Sequence, residues 1–386
     1  MAAAARHESL RQAAFVHSPA LEQYPYPPDS PFNTSRAGKA RQILLSTGLL
    51  GGPGQREVAP APAEREALLE FHTAKYLDAL RRAPQGELTV EGLHMGLGTP
   101  DCPVFVGMYE YAALAAGATL TAAELLLADE TAVAFNPSGG YHHARPSRAA
   151  GFCYVNDVVL GCLKLTGAGR RVVFLDVDVH HGDGVQEAFY SRRDVMTISF
   201  HQSGRTLFPG TGWEDDIGVG DGAGYSVNVP LPPGTYDEAF GRAIREVAVP
   251  LIGAYRPDVI VLELGLDGLA GDPLANLELT NNAYAEVIER VLAFGRPVLA
   301  TGGGGYHIEN TARGWALAWS VLCGQADATE DGAAGLGGVM LGSTDWSGGL
   351  RDRLRAPSGE QRMRIDPVVN ATIEKVKRNV FAFHGL

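Results

Sequence analysis

The sequence has few of the features that mark secreted proteins. Its 386 residues include four cysteines, Cys102, Cys153, Cys162 and Cys323, and no two of them form a CxxC pair. A disulfide framework and a cysteine-based zinc site are therefore not expected, and a reducing, cytoplasmic compartment fits. The first residues carry charge but lead to no long apolar run, so we expect no secretory signal.

Long hydrophobic runs and positive charge are also scarce. The most apolar stretch, residues 111–128, is interrupted by Gly117, Thr119, Thr121 and Glu124, so no membrane span is expected. With 44 acidic and 32 basic residues, the formal net charge is −12. A field of that sign repels phosphate backbones and argues against direct binding of nucleic acid. Apolar residues make up 45% of the chain, which is ordinary for a globular enzyme and excludes disorder as the dominant state.

Short apolar runs alternate with helical segments along the chain. The runs are apolar throughout, which is typical of strands covered on both faces. They lie at residues 131–135, 171–175, 195–200, 259–262 and 297–300, with 14–17 as a weaker candidate. Helices are predicted over residues 109–127, 154–165, 236–255 and 281–294. This alternation predicts an α/β fold, a parallel β-sheet flanked by helices on both faces.

We find no internal repeat and no linker that separates two halves with their own cores. Segments rich in glycine or proline at residues 24–31, 51–62 and 326–349 are predicted to be loops. The prediction is therefore one domain over residues 1–386.

Polar residues follow each of the five clearer strands. The segments after them read NPSGGYHHA, DVDVHHGDG, HQSG, ELGLDG and TGGGGYH. The carboxyl ends of the strands form the ligand-binding edge of an open parallel sheet. Five strand ends that carry His, Asp, Gly and Tyr therefore predict an active site at that edge.

The segment DVDVHHGDG is the richest of the five. If the strand continues to Val179, its two-residue period places Asp176, Asp178 and His180 on one side. Carboxylate and imidazole suit a divalent metal such as zinc, and Asp267 is the best candidate for a third ligand. Three protein ligands leave a position for water, which is the catalytic pattern. The alternative, a solvated acidic loop, is weakened by the attached HHGDG and by the second strand end.

Two histidine pairs stand at these strand ends. His142 and His143 follow a Gly-Gly turn, and neutral imidazoles beside a metal can act as general base and acid. Each ring needs a partner to fix its tautomer, and Asp176 and Asp183 lie in the right neighbourhood. His181 has no such support and is predicted to be structural.

Tyr306 follows four glycines that lack the spacing and the lysine of a phosphate-binding loop. Glycine lets the backbone approach a substrate closely, so Tyr306 could donate a hydrogen bond to a developing oxyanion. A flexible turn before a core tyrosine is an equal alternative on spacing alone. Phe152 and Phe208 stand in loops, where such residues usually belong to the core, and Asp101 is of the kind that usually caps a helix or a turn.

Together these motifs resemble the zinc-dependent histone deacetylases, closest to the class I type, and the related bacterial acetoin-utilisation deacetylases. The matching runs are PDCPVF, PSGGYHHA, GFCYVNDV, FLDVDVHHGDGVQEAF, FPGTG, LGLDGLAGDPL and TGGGGYHIENTARGW, in order from about residue 100 to 315. Each of these runs alone is weak evidence, but their combination in this order is highly specific for the family. The resemblance implies the single-domain arginase/deacetylase fold and a hydrolase that removes acyl groups from Nε-acyl-lysine of proteins or peptides.

The resemblance also implies roles for individual residues. The positions matching the metal ligands, for zinc or alternatively ferrous iron, are Asp178, His180 and Asp267. Those matching catalytic groups are His142 and His143, their partners Asp176 and Asp183, and Tyr306. Those matching the acyl-lysine site are Asp101 at the rim, Gly151 through its carbonyl, and Phe152 and Phe208 as tunnel walls. Arg36 loosely matches an arginine near an internal acetate channel.

Two structural potassium ions are implied by the same resemblance. The first site corresponds to Asp176, Asp178, His180, Ser199 and Phe200. The second corresponds to backbone carbonyls around Phe189, Arg192, Val195 and Tyr225.

Two positions depart from the family pattern, and a third bears on the substrate. Tyr141 replaces the usual tryptophan, and Leu266 replaces alanine or cysteine beside the last metal ligand. Leu274 occupies the rim position where polyamine deacetylases carry an acidic gatekeeper, which favours acyl-lysine. Two alternatives stay open: an amidohydrolase for an acetylpolyamine or another small acylated amine, and a non-catalytic acyl-lysine reader. The intact ligands, tandem histidines and Tyr306 argue against the reader, and the sequence does not predict an oligomeric state.

Overall fold

The computed structural model describes residues 12–24, 26–325 and 349–386, and the strands within them form one sheet. All eight are parallel, in the order β2-β1-β3-β8-β7-β4-β5-β6. Their bounds are β1 Ala13–Val16, β2 Gln55–Val58, β3 Val133–Asn136, β4 Val172–Asp176, β5 Val195–Gln202, β6 Ser226–Leu231, β7 Val259–Glu263 and β8 Val298–Thr301. The loop predicted over residues 326–349 lies outside the described residues except for Gly349.

Helices connect the strands and cover the sheet. The α-helices are α1 Arg36–Ser46, α2 Arg65–Leu69, α3 Ala74–Arg82, α4 Val90–His94, α5 Met108–Leu127, α6 Asp157–Gly167, α7 Asp183–Phe189, α8 Asp237–Ala243, α9 Val249–Tyr255, α10 Asn281–Leu292, α11 Ile308–Leu322 and α12 Gly359–Val380. Short 3₁₀ segments occur at Pro19–Gln23, Ala83–Gln85, Gly220–Gly222 and Phe381–His384. None of the helices in this described part of the chain is both long and apolar enough to cross a membrane.

Side chains along each strand point alternately into two helical layers. In β1, Phe15 packs in the layer of α11, where its ring lies 5.3 Å from that of Trp319, edge to face. Its neighbours Ala14 and Val16 pack in the opposite layer with Ala118 of α5. Because both faces are covered, the central strands are largely apolar. The predicted parallel sheet with helices on both faces is confirmed.

The sequence analysis missed both edge strands. The segment predicted as a loop at residues 51–62 contains β2, whose residues are half-buried or exposed and carry no apolar run. The other edge strand, β6, contains Pro230, which has no amide hydrogen for the sheet. Proline is tolerated there because an edge strand has a neighbour on one side only.

The predicted helices are present with shifted or interrupted bounds. The helix predicted over residues 236–255 consists of α8 and α9 joined by a π-helical turn, Ile244–Ala248. Pro250 in the first turn of α9 lacks an amide hydrogen and would crowd the carbonyl of Glu246, which the wider turn relieves. The helix expected from residue 154 begins at Asp157, because the side chain of Asn156 caps it by accepting from Val159 N at 2.9 Å. The sequence analysis did not identify α11 or α12.

A buried histidine supports the loop that carries the tandem histidines. Nε2 of His72 accepts a hydrogen bond from Asn156 N at 3.0 Å. The side-chain amide of Asn156 then donates to the carbonyls of His142 and Ala144, at 3.2 and 2.9 Å. Burial lowers the pKa of His72 to about 4, so the folded protein keeps this ring neutral.

We expect the protein to lose stability in mild acid through His72. Between pH 6.5 and 4 the unfolded chain binds a proton at this histidine that the folded chain rejects, so the free energy of unfolding falls as the pH falls. At 1.36 kcal/mol for each pH unit, His72 contributes a loss of about 3 kcal/mol at pH 4. Urea unfolding of the wild type and of His72→Gln over this range measures it. Equal slopes for the two proteins would show that other groups cause the acid loss.

Candidate active site

The predicted site residues come together at one edge of the sheet. The strands β3, β8, β7, β4 and β5 are consecutive neighbours, so the segments that follow them meet there. One cavity at this edge is lined by residues from three of those segments, after β3, β4 and β8, and from two neighbouring loops: Phe32, Gly140, Tyr141, His142, His143, Gly151, Cys153, Asp178, His180, Gly303, Gly304 and Tyr306. Parallel topology is what brings them to one edge, as the sequence pattern predicted.

The end of β4 differs from the prediction. The strand stops at Asp176 rather than continuing to Val179, so the pleat does not align the acidic side chains. Instead, Oδ1 of Asp176 accepts from Asp178 N at 3.0 Å, and Oδ1 of Asp178 accepts from His180 N at 2.8 Å. These two successive hydrogen bonds, in which an aspartate oxygen accepts from a backbone amide two residues later, turn the chain and place Asp178 and His180 side by side.

Asp178, His180 and Asp267 form a compact buried set. Nδ1 of His180 lies 2.9 Å from Oδ2 of Asp267 and 3.1 Å from Oδ1 of Asp178, and one ligand atom from each residue lies within 4.8 Å of the others. Backbone amides orient both carboxylates: Val179 N donates to Asp267 at 2.9 Å, and Gly304 N donates to Asp178 at 2.6 Å.

The electrostatics of this set fit a bound cation. Although burial opposes it, the carboxylates of Asp267 and Asp178 raise the pKa of His180 to about 10. Burial and the nearby Asp178 raise the pKa of Asp267 to about 7. Buried carboxylates that face one another are unfavourable unless a positive charge joins them. One imidazole and two carboxylates are a donor set that suits a divalent metal ion with a further position open.

The tandem histidines each pair with one aspartate. Nδ1 of His142 lies 2.9 Å from Oδ2 of Asp176, and Nδ1 of His143 lies 2.8 Å from Oδ1 of Asp183. These contacts fix the ring orientations and leave the two Nε2 atoms 3.0 Å apart. The carboxylate partners expected from the sequence are therefore in place.

The two rings differ in their protonation. Although burial opposes it, the carboxylates of Glu263 and Asp176 raise the pKa of His142 well above its usual value. Burial and the neighbouring charge of His142 lower the pKa of His143 to about 4. Environments that separate the pKa values of adjacent groups are typical of an acid–base pair with divided roles.

Glycines allow the backbone to approach the set of Asp178, His180 and Asp267 closely. A Cβ atom added to Gly304 would collide with the carboxylate of Asp267. Tyr306, two residues later, is half-buried, and its ring lies 5.5 Å from that of Phe152 and 6.4 Å from that of His180. Tyr306 therefore borders the cavity beside His180.

Two of the predicted acyl-lysine residues, Gly151 and Phe208, lie against His143. Gly151 has φ +54°, and a Cβ atom there would collide with the ring of His143. Gly151 N donates to Oδ2 of Asp101 at 2.7 Å, so the rim aspartate holds this loop in place. The carbonyl of Gly151 accepts from the Cys153 thiol at 3.2 Å. The ring of Phe208 is 46% exposed and lies 5.0 Å from that of His143.

The sequence analysis missed two acidic residues of the site. Glu263, the last residue of β7, is fully buried, and its Oε1 lies 3.0 Å from Nδ1 of His142. Asp272 accepts from Leu274 N at 2.9 Å and from Tyr306 N at 2.7 Å, which ties the rim to the candidate oxyanion donor. One feature of the sequence could have identified Glu263: it is a charged residue at the carboxyl end of an otherwise apolar strand, where the ligand-binding edge lies.

Residues around the site have structural contacts. The buried Arg36 donates from Nη1 to the carbonyl of Gly305 at 2.8 Å. The Tyr141 hydroxyl is hydrogen-bonded to that of Tyr111. His181, predicted to be structural, lies 2.8 Å from Thr211 Oγ1 and 3.1 Å from Gln186 Oε1. The departure at Leu266 is accommodated by Gly314, where a Cβ atom would collide with the leucine side chain.

The residues matched to potassium sites lie in two places. Ser199 of β5 is level with Asp176 of β4, and its hydroxyl lies 2.9 Å from Nδ1 of His201. At the second place, the carbonyl of Phe189 accepts from Arg192 N and that of Tyr225 accepts from Thr197 N, both at 2.9 Å. Nothing in these contacts tests for an ion, and both sites stay predictions.

Comparison with known proteins agrees with this geometry. The histone deacetylase domain model matches residues 30–322. Histone deacetylase 8 of Xenopus tropicalis is 43% identical over 297 residues, 76% of this chain and 80% of that protein. Histone deacetylase RPD3 of Saccharomyces cerevisiae is 39% identical over 316 residues, 81% of this chain and 72% of that protein.

A solved structure extends the likeness to the whole fold. The crystal structure of a histone deacetylase homologue from Aquifex aeolicus matches with a TM-score of 0.82 and 32% sequence identity, covering 95% of this chain and all of that one. The family model alone spans well over half of the sequence, and both relatives exceed the identity at which family members share their fold. The chain therefore belongs to the histone deacetylase family, hydrolases that act on acetylated lysine.

Proposed function

We propose that this protein is a zinc-dependent deacylase of Nε-acyl-lysine in proteins or peptides, with the metal held by Asp178, His180 and Asp267. The observation that carries the proposal is that this three-residue set adjoins two histidine–aspartate pairs, with Asp178, His180 and both histidines lining one cavity. Ferrous iron would suit the same donors and is the alternative metal.

The chain's own residues divide the work of amide hydrolysis. When bound, the metal ion would polarise the acyl carbonyl and lower the pKa of water. Nε2 of His143, whose ring is neutral, accepts a proton from the attacking water and later returns one to the departing lysine amine. His142 keeps its positive charge beside this step, and the Tyr306 hydroxyl donates to the developing oxyanion. The products are lysine and a carboxylate.

The rim supports a peptide as the substrate. Phe208 lies beside His143 and Phe152 beside Tyr306, where the two rings would enclose the aliphatic part of an acyl-lysine side chain. Asp101 lies beside this loop and would accept from the substrate backbone. Leu274 is half-buried and leaves its position at the mouth uncharged. An acetylated polyamine carries positive charge, for which an uncharged leucine offers no attraction. A small acylated amine is therefore only the second candidate substrate.

The metal assignment predicts that Asp267→Ala loses both metal and activity. Without this carboxylate the set keeps two ligands, too few for a stable zinc site. We expect less than stoichiometric zinc by elemental analysis and no measurable deacetylation. Asp258→Ala, near the opposite end of β7, serves as the control and should keep both. Full zinc content and full turnover in Asp267→Ala would refute the ligand set.

The oxyanion assignment predicts a loss of turnover in Tyr306→Phe. The change keeps the ring and removes one donor to the transition state, so kcat should fall roughly 10²–10³-fold. KM and zinc content should change little, because the hydroxyl acts mainly after substrate binds. Tyr255→Phe, whose hydroxyl donates to the carbonyl of Arg193, is the control for removing a buried phenol oxygen. A kcat near that of the wild type would leave Tyr306 outside the chemistry.

The rim assignment predicts a preference between two substrate classes. Peptidyl acetyl-lysine should exceed acetylspermidine in kcat/KM for the wild type. Leu274→Glu should shift the ratio toward the cationic polyamine by charge attraction, whereas Leu274→Gln, of similar size but neutral, should not. If the wild-type enzyme prefers acetylspermidine, the substrate proposal is wrong and the polyamine alternative replaces it.

A further inference from the structure

One surface groove has no part in the mechanism above. It has a volume of about 710 Å³ and shares no lining residue with the cavity at the ligand-binding edge. Helices α5 and α6 form its floor, and the segment from Ala61 to Glu70, which includes α2, forms its wall. Volumes of roughly 300–1,000 Å³ are typical of sites that bind a ligand, so the groove is large enough for one.

The wall of the groove is held in place by the backbone. Gly117 of α5 faces it, and a Cβ atom added there would collide with the carbonyl oxygen of Ala61. Two residues further along the wall, Ala63 N donates to the carbonyl of Ala113 at 2.8 Å. Because glycine and a backbone hydrogen bond fix this contact, the groove is a constant feature of the fold and does not depend on side-chain rotamers.

The floor of the groove is apolar and runs for about two helical turns. Leu120 and Leu127 of α5 and Leu163 of α6 line it and are half-buried, and Leu160 is buried. The seven steps from Leu120 to Leu127 rise about 10 Å along the helix axis. An apolar floor of this length matches the apolar stripe of a short amphipathic helix, whose apolar residues recur three and four positions apart.

The rim of the groove is acidic. The one cation among the lining residues, Lys164, is paired with Glu124 at 2.7 Å. Arg65, which lies within the wall segment, pairs with Asp78 at 2.8 Å and is not a lining residue. Three further lining residues are exposed glutamates that form no ion pair within the described part of the chain: Glu64, Glu66 and Glu70. The groove therefore offers three uncompensated carboxylates beside an apolar floor.

We propose that this groove binds a basic amphipathic helix of a protein partner. Leucine-sized side chains of that helix would pack on the floor, and its lysines or arginines would pair with Glu64, Glu66 and Glu70. The charge of the rim selects this occupant, because an acidic helix with the same apolar stripe would be repelled by all three carboxylates. The interaction is independent of the proposed function, since no groove residue belongs to the candidate active site.

The test measures the affinity of a synthetic amphipathic helix for the full-length protein. The probe is a fluorescently labelled peptide of leucine, alanine and lysine, roughly 14 residues long, which spans about four helical turns. Fluorescence anisotropy gives its Kd, and the same peptide with glutamate in place of lysine is the negative probe. We expect the lysine peptide to bind and the glutamate peptide not to bind.

The first variant fills the groove. Gly167 ends α6, lines the groove and is exposed, and no atom lies within 4 Å of a Cβ atom added there. Gly167→Trp should therefore fold normally and raise the Kd of the lysine peptide at least roughly 10-fold by occupying its place. Gly359→Trp is the matched control, because Gly359 is equally exposed and open but begins α12, outside the groove. Its Kd should equal that of the wild type.

The second variant removes the charge of the rim. Replacing Glu64, Glu66 and Glu70 together by glutamine should raise the Kd at least roughly 10-fold at low salt and weaken its dependence on salt. The matched control replaces three exposed glutamates outside the groove by glutamine: Glu87, Glu110 and Glu360. Both triple variants change the net charge equally, so the control separates pairing in the groove from general attraction to an acidic protein.

Three results would overturn the inference. One is a Kd for Gly167→Trp equal to that of the wild type. Another is equal weakening of binding in the two triple variants, which would show that the attraction is general. The third is a wild-type protein that sediments as a dimer and a Gly167→Trp variant that sediments as a monomer, which would assign the groove to a second copy of this chain. All replaced residues are exposed, so Tm should match that of the wild type in every variant.

Discussion

Four acidic side chains buried together at one edge of the sheet are the constraint on which the rest of the structure depends. The carboxylates of Asp176, Asp178, Glu263 and Asp267 are all at most 1% exposed. A folded chain tolerates this only if backbone amides hold the oxygens and positive charge lies among them. The amides come from the turns after β4 and β8, and the positive charge comes from His142 and, in the proposed enzyme, from a metal ion.

The parallel sheet supplies the rigidity that such a cluster needs. The apolar side chains of the central strands pack between two helical layers. This packing fixes the positions of the strand ends independently of the site residues. The polar turns then have little freedom to relax away from their mutual repulsion. Glycine at 304 and 151 is required because the backbone itself closes the site against Asp267 and His143. A larger residue at either position would push apart side chains of the site that need to lie close together.

The sequence reveals the parts of the site that lie next to recognisable features. Asp178, His180 and the tandem histidines follow strong apolar strands, and the glycine run marks the loop before Tyr306, so a strand-end argument finds them. Glu263 was missed because it is the last residue of a strand, and its meaning arises only from the register with Asp176. The prediction that β4 continues to Val179 was wrong. The carboxylates of Asp176 and Asp178 accept hydrogen bonds from nearby backbone amides, and these bonds compete with strand pairing. The strand β2 was missed because an exposed edge needs no apolar pattern.

Asp272 shows why the rim and the chemistry cannot vary independently. Its two oxygens accept from Leu274 N and from Tyr306 N, so one carboxylate fixes the backbone of both the residue proposed to lie at the mouth and the tyrosine proposed to polarise the carbonyl. Any change that moves the rim loop toward a different substrate also moves the support of Tyr306. Specificity in this protein is therefore best altered by side chains that leave the backbone bonds to Asp272 intact. A change of charge at residue 274 meets this condition, because the bond to Asp272 is made by the backbone amide and not by the side chain.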